Sequence, residues 1–198
     1  MELEPHHGPG KEAVSREPTF SDVAQLAGEL NRLGAQYLVV GGFAIIKHGY
    51  PRLTVDIDLL IDASLENEAT VLQALSILPD KVACQVTPGD VERSGVVRIG
   101  DEVTVGLMKS ACGVFYADAI RDARVLDTNG VWVPYASPAT LWRMKQTIRE
   151  KDVPDRAFLR RLLAEEGTHC GAADPSLFSH VGRKTPSMAA AEFAAMII

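Results

Sequence analysis

Two aspartates in an apolar segment, Asp56 and Asp58, are the residues of this sequence best suited to hold a metal ion. The segment 54–61 alternates as a β-strand does, so the two carboxylates share one face, with α-carbons roughly 6.5–7 Å apart. The opposite face is aliphatic and comprises Val55, Ile57, Leu59 and Ile61. Two like charges this close repel each other and are costly to desolvate, so a divalent cation, Mg²⁺ or Mn²⁺, would stabilise the pair.

A double glycine, Gly41-Gly42, lies upstream of this strand. It follows the apolar run 37–40, predicted as a buried strand, and precedes 43–48, predicted as the first turns of a helix. Glycines permit a tight turn, and the backbone N–H groups at a helix start form a ready phosphate site. A phosphate site and a metal-binding strand so close together predict metal-assisted chemistry on a nucleoside triphosphate.

These residues resemble the signature of a known superfamily. Gly41-Gly42, Arg52-Leu53-Thr54 and Asp56-Ile57-Asp58 are similar to the motif of polymerase-beta-type nucleotidyltransferases, and most similar to the minimal bacterial and archaeal members, including AbiEii-type abortive-infection toxins. The resemblance covers roughly residues 20–166. It implies an α+β fold, in which a polymerase-beta-like core (a mixed β-sheet with flanking helices) precedes a C-terminal helical pair. It also implies that Asp56 and Asp58 are catalytic metal ligands and that the nucleotide is bound by Gly41, Gly42, Arg52 and Thr54.

A basic segment near the C-terminus extends the resemblance. The toxin-like members carry a helix with a lysine, followed by an Arg-x-Lys-Asp-x-x-Asp run, and here Lys145 precedes such a run that begins at Arg149 and includes Lys151-Asp152. The resemblance implies that Lys145 contacts the triphosphate and that Lys151-Asp152 joins the two helices. We expect Lys145 and Arg149 to share one helix face and both to bind the nucleotide. We also expect Lys145 to be exposed, so that its removal would weaken nucleotide binding with little loss of stability. The alternative is a solvated basic helix face.

The chain departs from the superfamily pattern at its third carboxylate. Members carry this acid on a later strand, which here is 102–108, and the matching position is Gly106. Glu102 lies on the same strand face as Gly106 but about 13 Å from it along the strand. Asp101 and Asp90 lie in predicted turns. Metal and nucleotide binding depend on other residues, so the departure bears on catalysis. We expect Gly106 to limit activity and the substitution Gly106→Asp to raise it.

Three functions fit these observations. The first is Mg²⁺-dependent transfer of a nucleoside monophosphate from an NTP to a hydroxyl, for which an RNA or tRNA end is the leading acceptor and a protein or small-molecule hydroxyl the alternative. The second is a degenerate member that binds nucleotide with little or no catalysis, as Gly106 favours. The third is a structural or antitoxin-like protein in which the aspartate pair is incidental. The toxin-like resemblance also implies a cognate antitoxin as a partner.

Periodicity and turn residues predict the remaining elements. Ser21 and Ser64 are expected to cap helices, Ser137-Pro138 to begin a third, and Asn129-Gly130 to turn a hairpin. The predicted helices are 21–33, 64–77, 116–123, 137–148 and one around 158–163, and the predicted strands are 81–86, 96–99, 103–107, 124–127 and 131–134.

Composition indicates a soluble chain with flexible ends. Of its 198 residues 46% are hydrophobic, the net charge is −6, and no apolar run reaches the ~18 residues that span a bilayer. Three widely spaced cysteines and an N-terminus without an apolar core indicate a reducing cytoplasm rather than secretion. We expect a disordered tail over 1–18, a core over 19–135, a helical segment over 136–166, and a flexible tail over 167–198 with a short terminal helix at 188–198.

Overall fold

The computed structural model describes residues 15–170, with side chains as far as Gly167. The expected flexible segments 1–14 and 171–198, with the terminal helix at 188–198, lie outside the described residues. Residues 15–18, predicted as part of a disordered tail, instead contact the core. Arg16 N–H donates to Glu102 O at 2.9 Å, and the Arg16 guanidinium pairs with Asp22 and Glu102. That prediction is wrong for these four residues because Arg16 has acidic partners that are distant in sequence.

The described helices and strands occur in the order expected for an α+β chain. The α-helices are α1 (Phe20–Arg32), α2 (Gly41–Lys47), α3 (Leu65–Leu75), α4 (Asp90–Ser94), α5 (Tyr116–Ala119), α6 (Pro138–Met144) and α7 (Val153–Cys170). The strands are β1 (Tyr37–Val39), β2 (Asp56–Ile61), β3 (Val96–Gly100), β4 (Thr104–Met108), β5 (Ser110–Ala111), β6 (Val114–Phe115), β7 (Arg124–Thr128) and β8 (Val131–Tyr135). None of these helices is long and apolar enough to cross a membrane.

Six of the strands form one mixed sheet in the order β3-β4-β2-β1-β8-β7. The pairs β2–β4 and β1–β8 are parallel, and the pairs β1–β2, β3–β4 and β7–β8 are antiparallel. Helices flank this sheet, and α6 and α7 pack against each other as a C-terminal helical pair. The predicted α+β class, a mixed sheet with flanking helices, is confirmed.

The two faces of the sheet bury different apolar clusters. Alternate residues of the central strands, such as Ile57, Leu59 and Val105, pack with the apolar stripe of α1 and with α3. On the other face, Leu38 and Leu60 pack with residues of α2, α6 and α7. The helical pair therefore shares a core with the sheet. This second face of the sheet also carries Asp56 and Asp58, which share the face of Leu60 on β2.

Two helix caps agree with the sequence and one does not. Ser64 and Ser137 accept N–H groups from the first turns of α3 and α6, as predicted. The first helix begins earlier than expected, because Thr19, not Ser21, caps α1 and forms a capping box with Asp22.

The predicted strand 81–86 is wrong. The chain forms a 3₁₀ turn over Val82–Gln85 after Lys81, whose φ is +52°. The buried carboxylate of Asp101 accepts the N–H groups of Asp80 and Val82, both at 3.0 Å. These amides therefore bond to a side chain and are not available to a strand ladder.

The aspartate strand is shorter than predicted. β2 begins at Asp56, and its first ladder partner is Thr104 of β4. Val55 was expected on the aliphatic core face but is exposed, since 54–55 precede the ladder. The bend before β2 brings Thr54 against α2, and this position matters for the site.

Candidate functional site

Asp56 and Asp58 lie on one face of β2, as the alternation predicts. The parallel register places Asp56 opposite Thr104 and Asp58 opposite Gly106, while Ile57 and Leu59 enter the core between α1 and the sheet. The Asp56 side chain is 15% exposed and Asp58 is partly buried. Two carboxylates therefore lie next to each other on the side of the sheet that α1 does not cover.

The double glycine packs directly against this pair. A Cβ built on Gly41 would lie 2.0 Å from Asp58 Oδ2, and Gly41 has a φ of +62°, so both space and backbone conformation exclude a side chain. A Cβ on Gly42 would lie 2.3 Å from Thr54 Oγ1, and the Thr54 hydroxyl donates to Asp56 O at 3.2 Å. The start of α2, Thr54 and both aspartates thus form one packed unit.

The surroundings of Asp58 disfavour the ionised form of its carboxyl group. Burial and the neighbouring charge of Asp56 raise its pKa to about 6, against the partly offsetting charges of Lys145, Arg98 and Lys151. Within the described residues, no group donates a hydrogen bond to the Asp58 carboxylate. A bound cation would stabilise the ionised carboxylate of Asp58, because its positive charge would replace the solvation that burial removes.

We expect Asp58→Asn to stabilise the metal-free protein at neutral pH. The raised pKa means that the folded state binds a proton more tightly than the unfolded chain, so ionised Asp58 lowers the free energy of unfolding as pH rises through about 6. A shift from 3.8 to about 6 corresponds to at most about 3 kcal/mol, and we expect a gain of roughly 1–3 kcal/mol at pH 7.5. Urea denaturation with EDTA measures it, and the gain should vanish near pH 4. A gain independent of pH would contradict this explanation.

Arg98 is a member of the site that the sequence interpretation missed. Its guanidinium lies 3.2 Å from Asp56 Oδ2, although Arg98 belongs to β3, two strands away from β2. The signal was present, because Arg98 is the one charged residue within the predicted strand 96–99, and the hairpin 96–108 places it opposite Gly106. Local pattern alone does not show which face of the sheet a cation on that strand would reach.

Residue 106, which corresponds to the third carboxylate of the superfamily, faces the site but is a glycine. A Cβ on Gly106 would lie 3.0 Å from Asp58 Oδ1, so residue 106 points at the aspartate pair. Glu102 instead pairs with Arg16, and Asp101 binds backbone amides, so neither substitutes. Within residues 15–167, no group of three or more His, Cys, Asp or Glu side chains is placed to hold a metal ion.

Lys145 is buried in an ion network, which corrects the expectation that it is exposed. Its side chain is 12% exposed, and Nζ lies 2.9 Å from Asp152 Oδ1 and 3.0 Å from Asp155 Oδ2. Both carboxylates are almost fully buried. Burial would raise the pKa of Asp152, but the hydrogen bonds from Lys145 and Thr147 hold it at about 2. Lys145, rather than Lys151, joins the two helices through Asp152.

Arg52 and Arg149 complete this network. Arg52 Nη1 donates to Asp155 Oδ2, and Arg149 Nε donates to Asp152 Oδ2 at 2.9 Å. Arg149 was predicted one helical turn from Lys145 on the same helix, but α6 ends at Met144. Lys145 and Arg149 meet at Asp152 instead, and both lie in the segment between α6 and α7.

The early end of α6 has a tertiary cause. Arg156 Nη1 donates to the carbonyls of Lys145 and Thr147, at 3.1 and 2.8 Å. A continuing helix would have used these carbonyls for its own ladder, so Arg156 satisfies the groups that the helix end leaves free. The junction that results points Lys145 at Asp152, just before α7, and at Asp155 in the first turn of α7.

The aspartate pair fits one divalent cation. Its carboxylate oxygens are the hard ligands that Mg²⁺ and Mn²⁺ prefer, and the unbonded carboxylate of Asp58 has the strongest need of one. Two protein carboxylates suffice for a cation whose other ligands are waters and phosphate oxygens. With no acid at residue 106 and Arg98 against Asp56, the residues present do not fit a second cation.

Comparisons with known proteins find likenesses among solved structures alone. No protein-family model matches the chain, and no curated protein matches it. A similar solved structure is that of a Thermotoga maritima protein described as a candidate nucleotidyltransferase, with 17% sequence identity and a TM-score of 0.43. The match covers 81% of this chain and 97% of that one. A likeness of this size does not assign the chain to a family.

Proposed function

We propose that this protein is a metal-dependent nucleotidyltransferase, which transfers a nucleoside monophosphate from an NTP to a hydroxyl and releases pyrophosphate. The observation that carries the proposal is the Asp56–Asp58 pair on one strand face, with the unbonded carboxylate of Asp58 against the Gly41-Gly42 turn. A partly buried acid pair beside a glycine turn, in which Asp58 accepts no hydrogen bond from the described residues, suits a metal–phosphate complex better than a structural role.

Each residue has a distinct part in this proposal. Asp56 and Asp58 would hold Mg²⁺ or Mn²⁺, and the bound cation would neutralise the charge that develops on the reacting phosphate. Gly41 and Gly42 leave room for Asp58 and Thr54, and the backbone N–H groups of this turn would bind the phosphates. Thr54 donates to Asp56 O and so holds the segment before β2 in place. Because catalysis of phosphoryl transfer is mostly positioning and electrostatics, little covalent work is left to the protein.

The cations of the helical pair would act on the nucleotide from the other side. Lys145 has three N–H donors, and Asp152 and Asp155 take two of them, so one remains for a phosphate. Arg52 and Arg149 hold these aspartates and so position Lys145, although both were predicted to bind the nucleotide directly. Their role in the proposal is therefore to position the lysine.

A second candidate function is nucleotide binding without turnover. It is favoured by Gly106 in place of the third carboxylate and by the contact of Arg98 with Asp56. Gly106 leaves the site without a base for the incoming hydroxyl. With Arg98 against Asp56, the site fits one cation.

The acceptor and the cellular setting belong to the proposal as well. An RNA or tRNA end is the acceptor we propose, with the surface residues Arg143, Lys151, Arg160 and Arg161 as its docking side, since their charge contrasts with the net charge of −6. The toxin-like reading would add a cognate antitoxin as partner and a cytoplasmic setting.

We expect Asp58→Asn to weaken Mg²⁺-dependent NTP binding by at least about tenfold. The variant keeps the shape of the side chain and removes one ligand charge, and charge-assisted contacts are worth about 1.5–3 kcal/mol. Titration calorimetry with each NTP and Mg²⁺ measures it, with Asp118→Asn on α5 as the control, because Asp118 is exposed and its only ion pair is a long one of 3.9 Å within the described residues. Equal affinity in the Asp58 variant and the wild type would refute the site.

Incubation of the wild type with α-labelled NTPs, total RNA and total protein separates the two candidate functions. Label in RNA or protein, lost in Asp58→Asn, supports transfer. Tight Mg²⁺-dependent NTP binding with no label in either fraction supports binding alone.

A further inference from the structure

A row of three residues crosses the sheet at the site. Arg98 on β3, Gly106 on β4 and Asp58 on β2 are direct neighbours in the ladder register, and Asp56 lies on the same face one step along β2. The middle position carries no side chain. A cation and an acid pair are thus separated by one strand whose residue at this point has no side chain.

The gap at Gly106 is what allows the two ends of the row to approach. Strands of a sheet lie about 4.8 Å apart, so β3 and β2 are separated by about 9.6 Å. Arg98 spans this distance to reach Asp56 at 3.2 Å. A side chain on residue 106 would stand in the path, since its Cβ would already lie 3.0 Å from Asp58 Oδ1.

We propose that Arg98 is an internal counter-cation of the aspartate pair, which competes with a divalent cation for Asp56, and that Gly106 is the position that permits this contact. The inference rests on the proposed metal site and adds how that site is regulated. In the metal-free protein Arg98 reduces the repulsion between the two carboxylates. When a cation enters, Arg98 must leave Asp56 and is repelled by the new charge.

The exposure of Arg98 makes such displacement feasible. Its side chain is 61% exposed, whereas that of Asp56 is 15% exposed. An ion pair with one largely exposed partner is a weak contact, so a divalent cation can replace it at little cost. Arg98 therefore tunes the affinity for metal and does not block the site.

Binding of Mn²⁺ alone to the full-length protein tests the proposal. Free Mn²⁺ is measured by electron paramagnetic resonance at pH 7.5 without nucleotide, so the readout does not depend on activity. We expect Arg98→Gln to bind Mn²⁺ roughly tenfold more tightly than the wild type, because both a competing partner and a repelling charge are removed. Arg98→Lys should stay close to the wild type. Arg32→Gln removes the same charge from α1 and should change nothing.

A second pair of variants tests the role of Gly106. With Arg98 present, Gly106→Asp should change Mn²⁺ affinity less than threefold, because Arg98 neutralises the new carboxylate, whereas in the Arg98→Gln background it should add roughly another tenfold. Gly106→Ala in both backgrounds controls for the added Cβ. Equal effects of Gly106→Asp in the two backgrounds would overturn the coupling.

The outcomes separate this inference from the proposed function. Mn²⁺ binding by the wild type that is lost in Asp58→Asn, but unchanged or weakened in Arg98→Gln, overturns the counter-cation and leaves the metal site intact. Weaker NTP binding in Arg98→Gln with unchanged Mn²⁺ affinity also overturns it and makes Arg98 a phosphate ligand. Absence of Mn²⁺ binding in both the wild type and Arg98→Gln overturns the inference together with the metal site.

Discussion

Replacing Lys145 by methionine is expected to lower the free energy of unfolding by about 3–5 kcal/mol, because the change leaves two buried carboxylates without their shared cation. Asp152 and Asp155 are 1% and 2% exposed, and Lys145 Nζ lies within 3.0 Å of both. Methionine keeps most of the length of the side chain, so the loss reports the charge and the hydrogen bonds more than the packing. Urea denaturation at pH 7.5 gives the value.

The pH dependence identifies the cause of this loss. The pKa of Asp152 is lowered to about 2 in the folded protein, so its contribution is fully present above the unfolded value near 3.8 and disappears as pH falls through about 2. The difference between the wild type and Lys145→Met should therefore shrink below pH 4.

The exposed Lys151 provides the control for this prediction. Lys151→Met removes the same charge from the junction between α6 and α7, and we expect it to change stability by less than about 0.5 kcal/mol. A Lys145 variant that is as stable as the wild type but binds NTP much more weakly would show that Lys145 serves the nucleotide alone. This was the expectation from sequence.

Local sequence patterns predicted the parts of this fold whose causes are local. The period-2 alternation placed Asp56 and Asp58 on one face and Ile57 and Leu59 in the core beside α1, because successive side chains of a strand point to opposite faces of the sheet. Asn129-Gly130 turned its hairpin, since both residues adopt positive φ, which this turn requires.

Two of the wrong predictions share a tertiary cause. The segment 81–86 has the composition of a strand, but Asp101, some twenty residues later, takes its amides. Helix α6 has a pattern that continues beyond Met144, but Arg156 takes the carbonyls that follow. In each case a polar side chain from a distant part of the chain satisfies backbone groups that local propensity would assign to a ladder.

The candidate site shows the same division. Its two aspartates and two glycines are adjacent in sequence and could be found from motif and spacing. Arg98 could not, because its role depends on which strand lies between β3 and β2 and on that strand having a glycine at one position. The sequence shows that residue 106 is not an acid, but only the order of the strands shows that Arg98 contacts Asp56.

Restoring the third acid should raise nucleotide transfer, but only when Arg98 is removed as well. The sequence predicted that Gly106→Asp alone would raise activity, and the register agrees that residue 106 faces Asp58. Arg98, however, lies directly opposite residue 106 on β3 and would pair with the new carboxylate. We therefore expect a small gain from Gly106→Asp and a large one from Gly106→Asp combined with Arg98→Gln.

The size of the gain follows from the role of the new group. A positioned base that accepts the proton of the incoming hydroxyl contributes about 10²–10⁴-fold, so the double variant should transfer label from α-labelled NTP up to that much faster than the wild type at matched Mg²⁺. The double variant should also be less stable without Mg²⁺ and show a larger Mg²⁺-induced rise in Tm, because three carboxylates repel one another until a cation binds.

An isosteric comparison decides what the gain means. Gly106→Asn with Arg98→Gln has the same shape without the charge, so transfer that rises in this variant too would assign the effect to the loss of Arg98. A wild type already as fast as the Asp variant would show that the site needs no third acid, since Glu102 is paired with Arg16 and Asp101 with backbone amides. A double variant that gains Mg²⁺ stabilisation but no transfer would place the chain among proteins that bind nucleotide without turning it over. The Tm and the transfer rate together therefore distinguish a site that lacks only its base from a site that binds nucleotide without turning it over.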